Sequence, residues 1–364
     1  MRDAARSEPA FLRARADSAR VSPRRVALTL ALFAAIAAGL FVHLDRGEMG
    51  RASEQRCFTV VSEMLRSGDW LVPRFEGALR LQKPPLFYWA GASAAALAGE
   101  QSLWTLRAVS AVAALALAAC VFAVGRSFGD SRAGLLCTAV LGATWFFYDR
   151  GRTGDAEMLL ALFVFAALAV FERLWRTRDA RLLPALALLL GLGFLTKATA
   201  ALLGVLAPIA VWLVLQRSTR LALRPAVLGW GLVAAAIGLS WYGAILARVP
   251  GSGALFSELL LSPFGVQVER DARHLRELWY YWPRFPLVTA PAGLLLPWLV
   301  YEGWRQRFWR SDPRLQFFAV SFVTLLVAWT FIPQKQMHYL LVLAPLQAIV
   351  AGRVIEQRFF AARD

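Results

Sequence analysis

Lysine is nearly absent from this chain. Of 40 basic residues in 364, only Lys83, Lys197 and Lys335 are lysine, and the rest are arginine. Cysteine and histidine are as scarce, with three of each. Cys57, Cys120 and Cys137 lie too far apart for a disulfide framework or a zinc site. Cys120 and Cys137 sit in apolar runs and read as packing residues. His43, His274 and His338 have no metal-ligand spacing. No Asp-x-Asp pair demands a divalent ion, so no cofactor is certain and a divalent metal stays possible. Acidic residues are few, 24 against 40 basic, leaving a net charge of +16.

What fills the chain is apolar: 58% of residues are hydrophobic, and the mean hydropathy is +0.52. Soluble domains hold about 45–50%. That excess excludes an ordinary soluble enzyme and a disordered basic tail. The basic charge alone would also fit nucleic acid. The apolar content points to a bilayer, which sorts basic residues too, and no nucleic-acid partner is expected.

Ten runs free of charge read as helical spans: 26–44, 108–125, 133–147, 158–171, 182–196, 198–215, 225–247, 285–301, 315–333 and 337–352. A span needs about 20 residues, so the shorter runs borrow flanking residues. The run 86–99 is shorter still and reads as an interfacial or re-entrant segment. With the N-terminus cytoplasmic, the inside segments hold 23 Arg and 10 acidic residues, a net of +13. The outside segments hold 17 basic and 14 acidic residues, a net of +3. The positive-inside rule favours this sense; an eleventh span at 86–99 would invert the later loops. The expected organisation is an Arg-rich cytoplasmic arm over 1–25, a transmembrane domain over 26–352 and a cytoplasmic tail over 353–364. A signal peptide over 1–44 is disfavoured, because its apolar run is long for one. Both termini would then be cytoplasmic, and a site would face outward in the cell inner membrane.

External loops 45–107 and 248–284 are where a site would be built. In the first, 54–66 reads as a helix with Phe58, Val61, Met64 and Leu65 on its apolar face, stopped by Gly68. Glu63 reads as a surface residue of that helix. Lys83-Pro84-Pro85 holds a lysine in a stiff frame before Phe87-Tyr88-Trp89. After the third span, Arg150 and Arg152 precede Asp155 and Glu157. These acids could be a site or an interfacial helix cap. Lys197 lies between two apolar runs, either at the outer surface or facing a wet acidic cavity. Lys335, His338 and Tyr339 open the last span, lining a cavity or anchoring it at the interface. His274 reads as a loop hydrogen-bonding residue. Trp241-Tyr242 and Trp279-Tyr280-Tyr281-Trp282 read as an aromatic belt.

The order of these elements resembles a known family. A first-loop Glu-x-Arg (Glu54, Arg56) precedes a short helix ending Glu-Met-Leu. Ser-Gly-Asp-Trp-Leu-Val-Pro, Gln-Lys-Pro-Pro-Leu-Phe-Tyr-Trp and a Gly-Arg-x-x-Asp follow. Later come LGFLTKATA, HLRELWYYWPRF and IPQKQMHYLLVLAP. Over about residues 26–352 this is similar to the membrane glycosyltransferases of the GT-C fold, which use polyprenyl-phosphate sugars. These include the lipid A aminoarabinose transferases and the protein O-mannosyltransferases.

The resemblance implies an all-α polytopic bundle of about ten transmembrane helices, whose first external loop carries short interfacial helices. It implies an enzyme moving a sugar from a polyprenyl-phosphate donor in the membrane to a lipid, glycan or protein acceptor. Lys83 matches the family lysine that binds the donor phosphate. Arg56, Arg152, Arg270, Lys335, His338 and Tyr339 are the further substrate-binding candidates. The family's second acid falls on Asp155. Its first Asp falls on Ser53, which cannot act as a carboxylate, so Glu54, Asp45 or Glu48 would take that part. An expected phosphate-contacting Arg falls on Val266, with Arg270 nearby but out of register. Two other classes remain: a lipid or sugar transporter, and an inactive relative that scaffolds a partner. The charge-free runs and the outward clustering of acids favour surface chemistry over translocation.

Overall fold

The computed structural model describes residues 22–254, 256, 276–306, 312–332 and 335–360. Arg270, His274 and Val266 lie outside the described residues. The described residues are mostly helical, with one two-stranded hairpin among them, β1 (Arg74–Phe75) and β2 (Ala78–Leu79), in the first loop.

Helix α1 (Pro23–Phe41) starts at an N-cap Ser22 with Pro at the first helical position. Helices α2 (Ala52–Ser67) and α3 (Leu86–Ala98) lie in the first loop and end on left-handed Gly68 and Gly99. Both glycines take the positive φ that ends a helix without a side-chain clash. Helix α4 (Leu103–Ser127) opens with a capping box, Ser102 with Thr105. Then come α5 (Ser131–Gly142), α6 (Trp145–Gly151) and α7 (Glu157–Thr177). Next are α8 (Leu183–Leu215) and α9 (Pro225–Arg248). Short α10 (Tyr281–Val288), α11 (Leu296–Gln306), α12 (Pro313–Phe331) and α13 (Leu343–Phe359) complete the order.

Helix α8 is a helical hairpin rather than one rod. Lys197 (φ −154°, ψ 38°) and Ala198 (φ 38°, ψ −116°) break it. A Cβ on Gly193 would lie 3.4 Å from that of Ala201. Eight residues of straight helix would hold them about 12 Å apart. Leu183, Leu186 and Leu213, at opposite ends of the sequence range, line one cavity of about 210 Å³. The runs 182–196 and 198–215 are thus separate legs that double back at Lys197.

Seven helices among the described residues are long and apolar enough to cross a membrane. An eighth crossing is available where two shorter segments, Leu278–Val288 and Ala292–Arg305, meet at 109°. Fewer long helices than expected runs result, because the two legs of α8 count as one helical stretch, Ala180–Leu215. In addition, the run 133–147 divides into α5 and α6 at Ala143-Thr144.

The bundle packs tightly where side chains vanish. A Cβ on Gly352 would meet the Cys137 backbone at 2.6 Å, and one on Gly125 would meet Gly134 at 2.9 Å. Small residues thus let α4, α5 and α13 approach closely, as membrane helices do. Trp279 and Trp282 are exposed, as a belt requires, but Tyr281, Trp241 and Tyr242 are buried. The Trp241 indole N–H donates to the Leu71 carbonyl at 2.9 Å, pinning α9 to the first loop. That part of the expected belt is core.

The face of α2 also differs from expectation. Cys57, Val60, Val61 and Met64 are buried, while Phe58 and Leu65 are only partly covered. Glu63 is buried too, and its carboxylate accepts the Gly77 N–H of the β hairpin. It is a tie between α2 and the hairpin, not a surface residue.

Candidate active site

One end of the bundle gathers a cluster of buried ionisable groups. The turn 152–156 delivers Asp155 and then Glu157, the first residue of α7. Both carboxylates sit at a helix N-terminus, where the helix dipole favours negative charge, and both are almost fully buried. Asp155 Oδ1 accepts the Glu157 backbone N–H at 3.1 Å. Its Oδ2 accepts the Ser53 hydroxyl at 3.0 Å, and Arg150 lies 3.7 Å away. Burial, then the neighbouring Glu157 charge, pushes the Asp155 carboxyl up to about 6, with Lys83 pulling the other way.

Glu157 is the hub. Its Oε1 accepts Lys197 Nζ at 2.5 Å and lies 3.4 Å from His338 Nε2. The hairpin break in α8 puts Lys197 at the tip, directly over α7. The Lys197 ammonium lies 4.8 Å from the centre of the Tyr339 ring, and His338 packs edge-on against that ring. His338 and Tyr339 come from the 3₁₀ turn Met337–Val342 before α13.

Lys83 approaches from the first loop. Burial works to lower its pKa, but Glu157, Cys57, Tyr88 and Asp155 outweigh it and hold the ammonium above its ordinary value. The Cys57 thiol is pushed up to about 12 by burial, and Lys83, Asp155, Arg80 and Arg56 all act on it. Arg56 is half-buried, and its Nε has no hydrogen-bond partner among the described residues.

Glu54 points elsewhere. Arg107 Nε and an Nη donate to its two oxygens at 2.8 and 2.9 Å. The Gly154 N–H donates to Oε1 at 2.7 Å. The remaining Arg107 hydrogens reach the carbonyls of Leu44, Arg46 and Glu48. One buried arginine thus joins the first-loop entrance, α2, α4 and the turn that carries Asp155. Asp45 and Glu48 are exposed.

The structure brings together Asp155, Lys83, His338 and Tyr339 around Glu157, while Arg56 lies on α2 next to Cys57. It does not bring Arg152 there: that guanidinium caps the end of α1, donating to the carbonyls of Gly39, Leu40, Val42 and His43. Lys335 is buried and donates to the Ile332 and Arg276 carbonyls. Glu157 and Lys197 are the central pair; of the two settings open to Lys197 in the sequence, it takes the one facing acidic groups. A charge on an otherwise apolar run was their available signal. Among the described residues no three His, Cys, Asp or Glu converge to hold a metal ion. Positive charge around the carboxylates comes from Lys83, Lys197 and Arg150.

Residues 82–242 match the family described as dolichyl-phosphate-mannose-protein mannosyltransferase. The undecaprenyl phosphate-α-4-amino-4-deoxy-L-arabinose arabinosyl transferase of Pseudomonas paraeruginosa is 33% identical over 89% of this chain and 59% of its own length. Among solved structures, ArnT from Cupriavidus metallidurans bound to undecaprenyl phosphate superposes with a TM-score of 0.76. That match has 20% identity and covers 90% of this chain and 60% of that one. This chain has the GT-C fold and is similar to the aminoarabinose transferases over 89% of its length. The oligosaccharyltransferase of Archaeoglobus fulgidus shares the fold more distantly, with a TM-score of 0.58, 12% identity and coverage of 93% of this chain and 50% of that one. This GT-C relative is a multi-span membrane protein, and it spans about 59% of the length of the curated relative it matches first.

Proposed function

We propose that this GT-C relative moves a sugar from a polyprenyl-phosphate donor to a hydroxyl on a lipid, glycan or protein acceptor. The observation that carries this reading is the meeting of buried Asp155 with Lys83 at one end of the bundle, with Glu157 and Lys197 beside them. Asp155 takes the proton from the acceptor hydroxyl, which must come within hydrogen-bond reach. The acceptor oxygen bonds to the anomeric carbon as the bond from that carbon to the phosphate oxygen breaks. The departing polyprenyl phosphate keeps the electron pair, and Lys83 and Arg56 stabilise its charge. A lysine suits this contact as a compact point charge. Glu157 holds Lys197, with His338 and Tyr339 packed beside that pair.

Glu54 serves here by position, since both its oxygens are committed to Arg107 and one also to Gly154. Ser53, standing where a second acid would be, orients Asp155 through one hydrogen bond.

Mass spectrometry of lipid A, glycans and secreted proteins from a strain lacking this chain tests the function. One class should lose a single sugar, restored by the wild-type gene but not by Asp155→Asn. Unchanged masses in all three classes would sink the reading.

We place the site on the outer face of the cytoplasmic membrane, with both ends of the chain inside, on the strength of the charge asymmetry. Glu100→Cys, in the loop before α4, should react with a membrane-impermeant maleimide in sealed cells. Arg220→Cys, between α8 and α9, should react only after lysis. The reverse pattern would turn the topology over.

A further inference from the structure

The end of the bundle away from Asp155 holds a second polar recess. It has a volume of about 520 Å³ and is lined by Trp175, Arg176, Arg178, Asp312, Pro313 and Arg314. Arg176 lies 19 residues along α7 from Glu157, so the recess is roughly 28 Å from the first site. That is about one hydrocarbon thickness, which puts it at the opposite membrane surface.

Its walls are fixed. Asp312 caps α12 and accepts two bonds from the Arg314 side chain, at 3.1 and 3.0 Å. Arg314 also donates to the Ser127 carbonyl at 2.6 Å. Arg176 donates through Nε to buried Glu172 at 3.0 Å, leaving its outer N–H groups toward solvent. Arg178 differs. It sits in the left-handed conformation (φ 58°) at the end of α7, with its guanidinium 5.5 Å from the Trp175 ring centre. No described residue accepts a hydrogen bond from its side chain. The lining carries three cations against one carboxylate. A tryptophan at headgroup depth also marks the interface.

We propose that this recess binds the phosphate of an anionic phospholipid, with Arg178 as the principal donor and Arg176 and Arg314 beside it. The guanidinium fork of Arg178, unbonded among the described residues, matches phosphate geometry. Basic pockets between helices at a membrane surface are suited to such headgroups. The apolar surface of α7 and α12 continues into the bilayer, where the acyl chains lie. A zwitterionic lipid supplies the phosphate but adds a cation beside three arginines, so it fits less well. The site is independent of the transfer reaction proposed above.

The test uses the full chain in detergent, probed by native mass spectrometry and thermal melting. The probes are phosphatidylglycerol, phosphatidylcholine and inorganic phosphate. Phosphatidylglycerol should be retained on the protein and raise its melting temperature more than phosphatidylcholine. Arg178→Asn, chosen because Asn tolerates a left-handed backbone, should weaken that binding about fivefold. Arg181→Asn, outside the recess, should not, and sugar transfer should be unchanged in both variants. Equal binding of the two lipids, an equal effect of Arg181→Asn, or an equal shift with inorganic phosphate alone would overturn the proposal. If Arg178→Asn fails to fold, the comparison of the three probes on the wild-type chain decides it.

Discussion

Replacing Asp155 with Asn should slow sugar transfer by about 10²–10⁴-fold, the usual contribution of a positioned base, while leaving the protein folded. The two effects separate because of how the carboxyl is held. Burial and Glu157 raise its pKa to about 6. A carboxyl raised above its unfolded value, which lies near about 4, stabilises the fold fully only below that unfolded value. It loses that contribution as the pH climbs through about 6. At neutral pH the charged Asp155 is therefore a burden on the fold, and Asn removes it. The variant should melt no lower than the wild type. The wild-type rate should rise with pH across about 6 and then level off, because only the deprotonated carboxylate accepts the acceptor's proton. The slow residual rate of the variant should lack that rise. A pH profile that keeps the same rise after substitution would assign the base elsewhere.

The second large effect concerns Arg107. Arg107→Met should cost about 3–5 kcal/mol of stability, because it strands the Glu54 carboxylate without its partner. It should also lower transfer, since Gly154 hydrogen-bonds to that carboxylate immediately before Asp155 in the chain. Removing both charges, as Arg107→Met with Glu54→Gln, should cost less than the two single changes together. Neighbours sharing one network couple in this way. A double variant whose losses simply add would mean that the pair does not act as a unit. Chemical denaturation of the four proteins supplies the comparison.

The span pattern was legible because apolar runs and Arg-rich loops are local properties of the chain. Even the break at Lys197 was marked, as one charge between two runs. The first-loop helix was legible for the same reason, ending at Gly68. Which of its faces turns inward was not, because that depends on where α3 and α4 lie. Glu63 became buried only because the β hairpin folds back over it. Asp155 and Lys83 carried recognisable contexts, and they do come together. Glu157 could be read as a site acid or as a helix cap, because its partners Lys197 and His338 are 40 and 181 positions away. Arg152 shows the converse: its motif position suggested substrate, yet four carbonyls at the end of α1 take its hydrogens. Glu54 likewise showed its residue type in the sequence but not Arg107, 53 positions along. Partners so far apart leave no spacing to read.

Transfer from a polyprenyl phosphate would rest on a buried carboxylate, Asp155, and a half-buried lysine, Lys83, at one end of this bundle. The most direct measurement follows label from a polyprenyl-phosphate sugar in proteoliposomes holding the full chain, with wild-type protein and with Lys83→Met. The account predicts that wild type moves the label onto a hydroxyl acceptor and releases polyprenyl phosphate. Lys83→Met should be slower by about 10²–10³-fold, the usual loss when one stabilising group is removed from a developing negative charge. Equal rates for the two proteins would contradict it.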